Sequence, residues 1–231
     1  MTAYGCGCVN ERHPFGMEHC VEKCEFHVEW SRTHQPGIQY YETMCAIQDG
    51  VPQCARYIRE LLEGVSIPRA ASLYAKALEV GCGCSMYAPL VQQLGYRYFG
   101  IEPSEWAAHW TRSTFNVQVD QSTVEEAVLI PNSYDLVIAA HVLEHVSSVI
   151  GVLEKLHLAM RPSATLIIVV PDDQDRTNPD HWWFFTEVSL QRTLAETGFT
   201  EIQMKSIKRV EYEDFIYCSA TKRLPWKQSG V

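Results

Sequence analysis

Residues 77–104 read ALEVGCGCSMYAPLVQQLGYRYFGIEPS, and the fold turns on this stretch. It opens on Ala77-Leu78-Glu79-Val80, an apolar run of buried-strand length. A turn of small residues follows at once: Gly81-Cys82-Gly83-Cys84-Ser85. From Tyr87 to Leu94 the apolar positions recur at helical spacing, and a second strand, Tyr98 to Ile101, ends on Glu102. That order predicts a βαβ unit, two parallel strands joined by a crossover helix. Glycine at 81 and 83 leaves room for a backbone that turns sharply or passes close to a ligand. A carboxylate about twenty residues beyond such a turn is placed to accept hydrogen bonds from both hydroxyls of a ribose. A bare tight turn and a solvated acid would explain either feature alone. The strand before, the helix after and the spacing favour a nucleotide site.

The bulk properties bound what surrounds this unit. The chain has 231 residues, enough for one sizeable α/β domain with an appendage. Formal net charge is −9, which argues against non-specific nucleic-acid binding, since that needs a dense positive face. No apolar run is long enough to span a bilayer, and the first residues carry no signal-peptide core. A cytoplasmic protein with its 9 cysteines reduced is therefore the expectation.

Four of those cysteines fall in residues 1–27, a Cys-rich N-terminal extension with too few apolar residues for a core of its own. Two close thiol pairs about a dozen residues apart suit a tetrahedral zinc ion, which would supply folding energy. The expected ligands are Cys6, Cys8, Cys20 and Cys24, with His27 as the alternate. Four protein ligands would close the site, so its role would be structural. Unpaired thiols in a loose arm are the bland alternative. Residues 28–71 carry apolar positions at three- and four-residue spacing and read as a helical cap or lid, or as plain packing on a sheet edge.

The α/β rhythm occupies residues 72–231. Ser104 reads as a helix cap with Glu105 in the first turn. Residues 115–119 read as a short third strand, 134–140 as a strand buried on both faces, and 149–160 as a helix that Arg161-Pro162-Ser163 breaks. An apolar strand at 164–170, a helix from Thr186 to Thr197 and two closing strands complete the pattern. The expected fold is α/β, Rossmann-like and doubly wound, a mostly parallel sheet with a C-terminal antiparallel strand.

Taken in order, EVGCGCS, GIEPS, YDLVIAAHVLEHV, LIIVVP and a His-aromatic segment before a helix ending in TGF resemble the class I S-adenosylmethionine-dependent methyltransferases. The resemblance covers residues 72–222. It implies S-adenosylmethionine as cofactor, with Glu79, Gly81, Cys82 and Gly83 in the loop under its methionine part. Glu102 would hold the ribose, and Pro103 and Ser104 would flank the adenine. Thr123 and Val124 would touch the adenine, and Ala140 or His141 would lie near the sulfonium. One departure is Ser85, where the family has a third glycine. A dinucleotide dehydrogenase is the competing enzyme reading; the HVLEH segment and the lack of a second catalytic domain stand against it.

Methyl transfer from a sulfonium mainly requires alignment in a dry site, and a histidine base helps when the acceptor carries a proton. The expected catalytic candidates are His181, His145 and His141, all near the carboxyl ends of strands. Each also has a structural reading: cofactor contact for His141, loop hydrogen bonding for His145. Glu144 reads as a helix-start charge. Of the aromatic run Trp182-Trp183-Phe184-Phe185, at least one should meet a substrate, the lid or a partner, with core packing explaining two. A small-molecule acceptor, sugar-linked or natural-product, is the leading expectation; oxygen, nitrogen and carbon acceptors are all compatible. The other readings are a metal-stabilised, non-catalytic cofactor-binding protein and an RNA or protein methyltransferase.

Overall fold

Period-two alternation sends successive strand residues to opposite faces, and here both faces are apolar. The computed structural model describes residues 67–85, 87–172, 181–207 and 214–223, and the backbone of four short strands before them. Those four are β1 (Asn10–Arg12), β2 (Glu18–Cys20), β3 (Ile47–Gln48) and β4 (Val51–Pro52). Then come β5 (Lys76–Val80), α1 (Ala88–Gln93), β6 (Arg97–Ile101), α2 (Glu105–Phe115), β7 (Gln118–Asp120) and β8 (Tyr134–Ala140). They are followed by α3 (Val149–Ala159), β9 (Met160–Pro171), β10 (Trp183–Phe184), α4 (Glu187–Glu196), β11 (Phe199–Ile207) and β12 (Phe215–Lys222).

Seven strands form one sheet in the order β11-β12-β9-β8-β5-β6-β7. The run from β9 to β7 is parallel throughout. β12 inserts antiparallel to both β9 and β11, as expected for a C-terminal antiparallel strand. On one face Leu78, Val80, Val137, Ala139, Leu166 and Ile168 pack on Val152, Leu153 and Leu156 of α3 and on Leu190 and Leu194 of α4. The residues between them, Ala77, Leu136, Ile138, Ile167 and Val169, pack on Ala88 and Val91 of α1 and Ala108 of α2. Each fully buried aliphatic side chain contributes about 1.5–3 kcal/mol, so the two layers hold the sheet firmly. The strand order reverses at β5, between β6 and β8, and the carboxyl ends beside such a reversal are where open α/β sheets bind ligands.

Local chemistry sets the ends of the helices. Ser104 caps α2 through the Ala107 amide, Ser148 caps α3 through Gly151, and Thr186 and Ser189 form a reciprocal capping box on α4. Two expected boundaries move. The third strand, expected at 115–119, is β7 at Gln118–Asp120, because Phe115 stays on α2 with its ring edge-to-face on Trp110 at 5.6 Å. Asn116 then turns the chain with φ 53°, a left-handed conformation that asparagine tolerates. Arg161-Pro162-Ser163 does not end regular structure: β9 already begins at Met160, paired with Tyr134, and then shifts register before Thr165 meets Leu136. Two buried or half-buried contacts hold this irregular start. Lys222 Nζ donates to the Met160 carbonyl at 2.7 Å, and Arg161 reaches both Asp135 oxygens at 3.0 and 3.1 Å.

The N-terminal strands bear on two further expectations. Within 28–71, β3 and β4 form an antiparallel pair, Ile47 opposite Pro52 and Gln48 opposite Val51, where helix was expected. The intervening Asp49-Gly50 is a hairpin dipeptide, and that signal outweighs the helical spacing around it. The other residues expected to form the helical cap lie outside the described set up to residue 66. The extension 1–27 contributes a strand pair to a small three-stranded sheet, β1-β2-β10, with His19 opposite Trp183 and Glu18 opposite Phe184. Of the expected zinc ligands, Cys20 ends β2, while Cys6, Cys8 and Cys24, with the alternate His27, lie outside the described residues. Among the described residues no helix is long and apolar enough to cross a membrane.

Candidate active site

The loop after β5 is bent by three left-handed residues, Gly81 at φ 61°, Gly83 at φ 50° and Ser85 at φ 31°. Glycine is required at 81, since a Cβ there would stand 2.6 Å from Val142 Cγ2. Ser85 occupies the place of a third glycine and uses its side chain. Its hydroxyl donates to Glu79 Oε2 at 2.7 Å and accepts from the Ala88 amide at 3.1 Å, at the start of α1. The departure from the family pattern therefore replaces conformational freedom with a hydrogen bond.

Two buried acids frame the loop. Glu102, only 4% exposed, accepts from the Gly83 amide at 2.7 Å on one oxygen and from the Ser104 amide at 2.9 Å on the other. Glu79 accepts from Ser85 and from the Tyr98 hydroxyl at 2.6 Å. Burial pushes the Glu79 carboxyl up to about 7, against those two hydrogen bonds and with help from the Glu102 charge. The same burial, with Glu79 and Glu102 beside it, holds the Cys82 thiol well above its ordinary range, so Cys82 is a small neutral residue and not a nucleophile. Tyr98 keeps its proton for the same reasons and gives it to the hydrogen bond. Thr111 of α2 closes the loop from below, donating to the Gly83 carbonyl at 2.8 Å. Tyr98 and Thr111 carry no motif, and their part was not visible in the sequence.

Pro103 is exposed beside Glu102, and Ser104 is committed to capping α2. Thr123 is half-buried and bonds the Glu126 carboxylate at 3.0 Å, while Val124 packs in the core with Ile101 and Ala127. Ala140 ends β8, half-buried against the α1–α2 face.

Directly after Ala140 the backbone turns at His141 with φ 55°, in the left-handed region that residues with a Cβ adopt infrequently. Its amide donates to the Val169 carbonyl at 2.9 Å, and its ring stands edge-on to Phe215 at 4.9 Å. Residues 142, 143 and 146 point into the core, and so does Glu144. Glu144 was expected as a helix-start charge, but α3 begins only at Val149 and the carboxylate is 1% exposed. His141 Nδ1 lies 3.3 Å from Glu144 Oε1, and His145 Nε2 lies 4.0 Å from the same atom. Burial pushes the Glu144 carboxyl up, but the His141 contact and the two imidazole charges outweigh it and leave it below the usual carboxylate range.

The 181–185 segment docks on this turn. The Trp182 and Trp183 amides both point at the Glu144 carbonyl, at 2.7 and 3.3 Å, and Trp183 Nε1 donates to the Val146 carbonyl at 2.8 Å. His181, 4% exposed, stacks edge-to-face on His145 at 5.0 Å. The three expected histidines thus gather at one turn, with Glu144 between them. Trp183, Phe184 and Phe185 are buried and Trp182 is half-buried, so core packing accounts for more of the aromatic run than expected.

A family model described as a methyltransferase domain matches residues 47–204, more than half of the chain. The chain belongs to the class I S-adenosylmethionine-dependent methyltransferases. Among curated proteins it is 27% identical over 97 residues to the ubiquinone biosynthesis O-methyltransferase of Rhodopseudomonas palustris strain TIE-1. That match spans 40% of this chain and 38% of the relative, well under two thirds of its length. Among solved structures, the 1,6-didemethyltoxoflavin-N1-methyltransferase of Burkholderia thailandensis, bound to 1,6-didemethyltoxoflavin and S-adenosylhomocysteine, superposes with a TM-score of 0.61 at 18% identity, covering 86% of this chain and 87% of that one. The phosphoethanolamine N-methyltransferase 2 of Haemonchus contortus, in complex with S-adenosyl-L-methionine, gives 0.64 at 11% identity, covering 86% and 60%. At these identities the two structures share the fold.

The donor set fits that cofactor. A carboxylate offers about four acceptor positions, and the Gly83 and Ser104 amides use two of those on Glu102. The carboxylate stands at the switch point where such folds bind nucleotides, and a buried acid there suits a pair of vicinal hydroxyls.

Proposed function

We propose that the chain transfers a methyl group from S-adenosylmethionine to a small-molecule acceptor. One observation carries the reading: Glu102 is buried at the switch point, where two backbone amides, of Gly83 in the loop after β5 and of Ser104, fix its carboxylate beside that loop. Around it Glu79, Gly81, Cys82 and Gly83 hold the methionine part, and Pro103, Ser104, Thr123 and Val124 frame the adenine. Ala140 and His141 border the transfer point. When bound, the cofactor supplies an electrophilic methyl on a sulfonium, and the chain supplies alignment and exclusion of water. His141 is the base that this geometry favours over His145 and His181. Its Nδ1 faces the Glu144 carboxylate at 3.3 Å, which would orient the ring for taking a proton from an acceptor oxygen or nitrogen.

The net charge of −9 supports a compact acceptor over RNA. The small substrates named for the structural relatives support it too, and Trp182 is the aromatic side chain placed to contact a planar acceptor. A reducing, cytoplasmic setting suits Cys82, Cys84 and Cys218, which are buried free thiols. The test has two stages. Calorimetric titration with S-adenosylhomocysteine should give one site per chain, weakened by Glu102→Ala; no binding at all would sink the reading. Incubating the chain with methyl-labelled cofactor and panels of phenols, amines and sugar-linked acceptors should then transfer label to one class. Binding without transfer to any acceptor would instead support a non-catalytic cofactor-binding protein.

A further inference from the structure

We propose that Glu144, His145 and His181 bind a divalent first-row transition ion, zinc by the nature of the donors. The ligand atoms of these three residues lie within 4.8 Å of one another. Bonds of about 2.0–2.2 Å in tetrahedral array bring ligand atoms to about 3.4 Å apart, so closing the site takes side-chain shifts of about 1 Å. His145 is exposed on a turn, and its ring can make that adjustment.

The burial of Glu144 is the independent observation. Its side chain is 1% exposed, and neither carboxylate oxygen receives a hydrogen bond of good geometry among the described residues. A buried ionised carboxylate left in that condition costs several kcal/mol unless a cation compensates it. His141 Nδ1 at 3.3 Å compensates part of it from one side. The rings of His145 and His181 lie edge-to-face at 5.0 Å, with His145 Nε2 4.0 Å from Glu144 Oε1. A divalent ion held by one atom of each of the three residues would compensate the buried Glu144 charge.

The donor set also selects the ion. Two imidazoles and one carboxylate suit zinc, cobalt or nickel; calcium and magnesium prefer oxygen alone. Three protein ligands leave a fourth position for water or for an acceptor heteroatom. The ligands come from two separate segments, the turn after β8 and the run leading into β10. The ion would therefore clip together the two pieces on which the small sheet β1-β2-β10 rests. This site is distinct from the N-terminal cysteines, and it stands whether or not the acceptor is identified.

Cobalt separates the possibilities. The full chain, stripped with a chelator, would be titrated with Co²⁺ alone while its visible spectrum is followed. The expected result is one equivalent bound with ligand-field bands from nitrogen and oxygen donors, and affinity lowered at least about tenfold by His181→Ala. His145→Ala should do the same, and because His145 is exposed this variant should keep the wild-type circular dichroism. Glu144→Gln tests the carboxylate. No cobalt spectrum would overturn the proposal. So would a spectrum dominated by thiolate charge transfer, or one that both histidine variants leave unchanged, since either would assign the ion to cysteines.

Discussion

The loop after β5 and the turn after β8 lie side by side at the carboxyl edge of one sheet, yet they are built in opposite ways. In the first, both buried acids are supplied with donors: Glu102 by two amides, Glu79 by Ser85 and Tyr98. In the second, Glu144 is equally buried but lacks a hydrogen bond of good geometry, and the residue that turns the chain, His141, sits in left-handed backbone. A satisfied network fixes a shape before any ligand arrives, whereas an unsatisfied buried charge makes its region responsive to whatever binds. The loop after β5 is thus pre-organised, and the turn after β8 is left to be completed by a proton, an ion or a ligand.

The largest effect should come from Glu102→Ala. It removes the acceptor for the Gly83 and Ser104 amides along with the proposed ribose contacts. Two hydrogen bonds to a charged acceptor at about 1.5–3 kcal/mol each imply a loss in S-adenosylhomocysteine affinity of about 100-fold or more, read by calorimetry. Wild-type affinity in this variant would mean that the cofactor half is not where it is assigned.

Gly81→Ala tests how the two halves meet, because the new Cβ would stand 2.6 Å from Val142 Cγ2 on the other turn, in a backbone at φ 61°. Overpacking and strain together should cost about 2–3 kcal/mol in urea unfolding. Val142→Ala in the same chain should return part of that cost through relief of the clash, leaving the backbone part. A fully additive pair would show that the two loops are independent.

The same contrast explains what the sequence could and could not reveal. The βαβ unit was legible because its signals are local: apolar runs, two glycines and Glu102 at a fixed distance along the chain. The C-terminal pair β11 and β12 was legible from two apolar runs separated by polar residues, and its antiparallel insertion beside β9 is what the fold requires. The support of the cofactor loop was not legible. Tyr98 and Thr111 reach Glu79 and Gly83 from 19 and 28 residues away, and no spacing rule connects them. Glu144 misled for a related reason. A charge four residues after an apolar strand end looks solvated, and the docking of residues 181–185 across it closes off water. Asp49-Gly50 misled in the other direction: a hairpin signal stood in plain sight and was outvoted by helical spacing.

Glu79 gives a pH-dependent test confined to the first half. Its carboxyl holds its proton more tightly in the fold, at about 7, than in the unfolded chain, at the ordinary 4.5. Stability is therefore undiminished below the lower value, falls as pH rises between the two, and is constant above. The full displacement corresponds to roughly 3 kcal/mol. Glu79→Gln keeps an acceptor for Ser85 and Tyr98 without the ionisation. The variant should gain about 1–3 kcal/mol on wild type between pH 5 and pH 8 in parallel denaturant titrations. A constant difference across that range would place the charge of Glu79 in solvent contact.

The smallest expected effect lies in the second half, at Trp183. Replacing it by phenylalanine keeps the aromatic packing but removes the Nε1 hydrogen bond to the Val146 carbonyl, 2.8 Å away in a buried setting. The loss in stability should be about 1 kcal/mol, the cost of one unmade buried bond. Its value lies in where the effect travels. The 181–185 segment rests on the turn after β8 through the Glu144 and Val146 carbonyls, so S-adenosylhomocysteine affinity should stay within about twofold of wild type. Cobalt affinity should fall severalfold, because His181 would then hang from a looser segment. Were the two affinities to fall together, the pre-organised half and the responsive half would be one cooperative unit, and the unsatisfied Glu144 would belong to the cofactor's site as much as to the acceptor's.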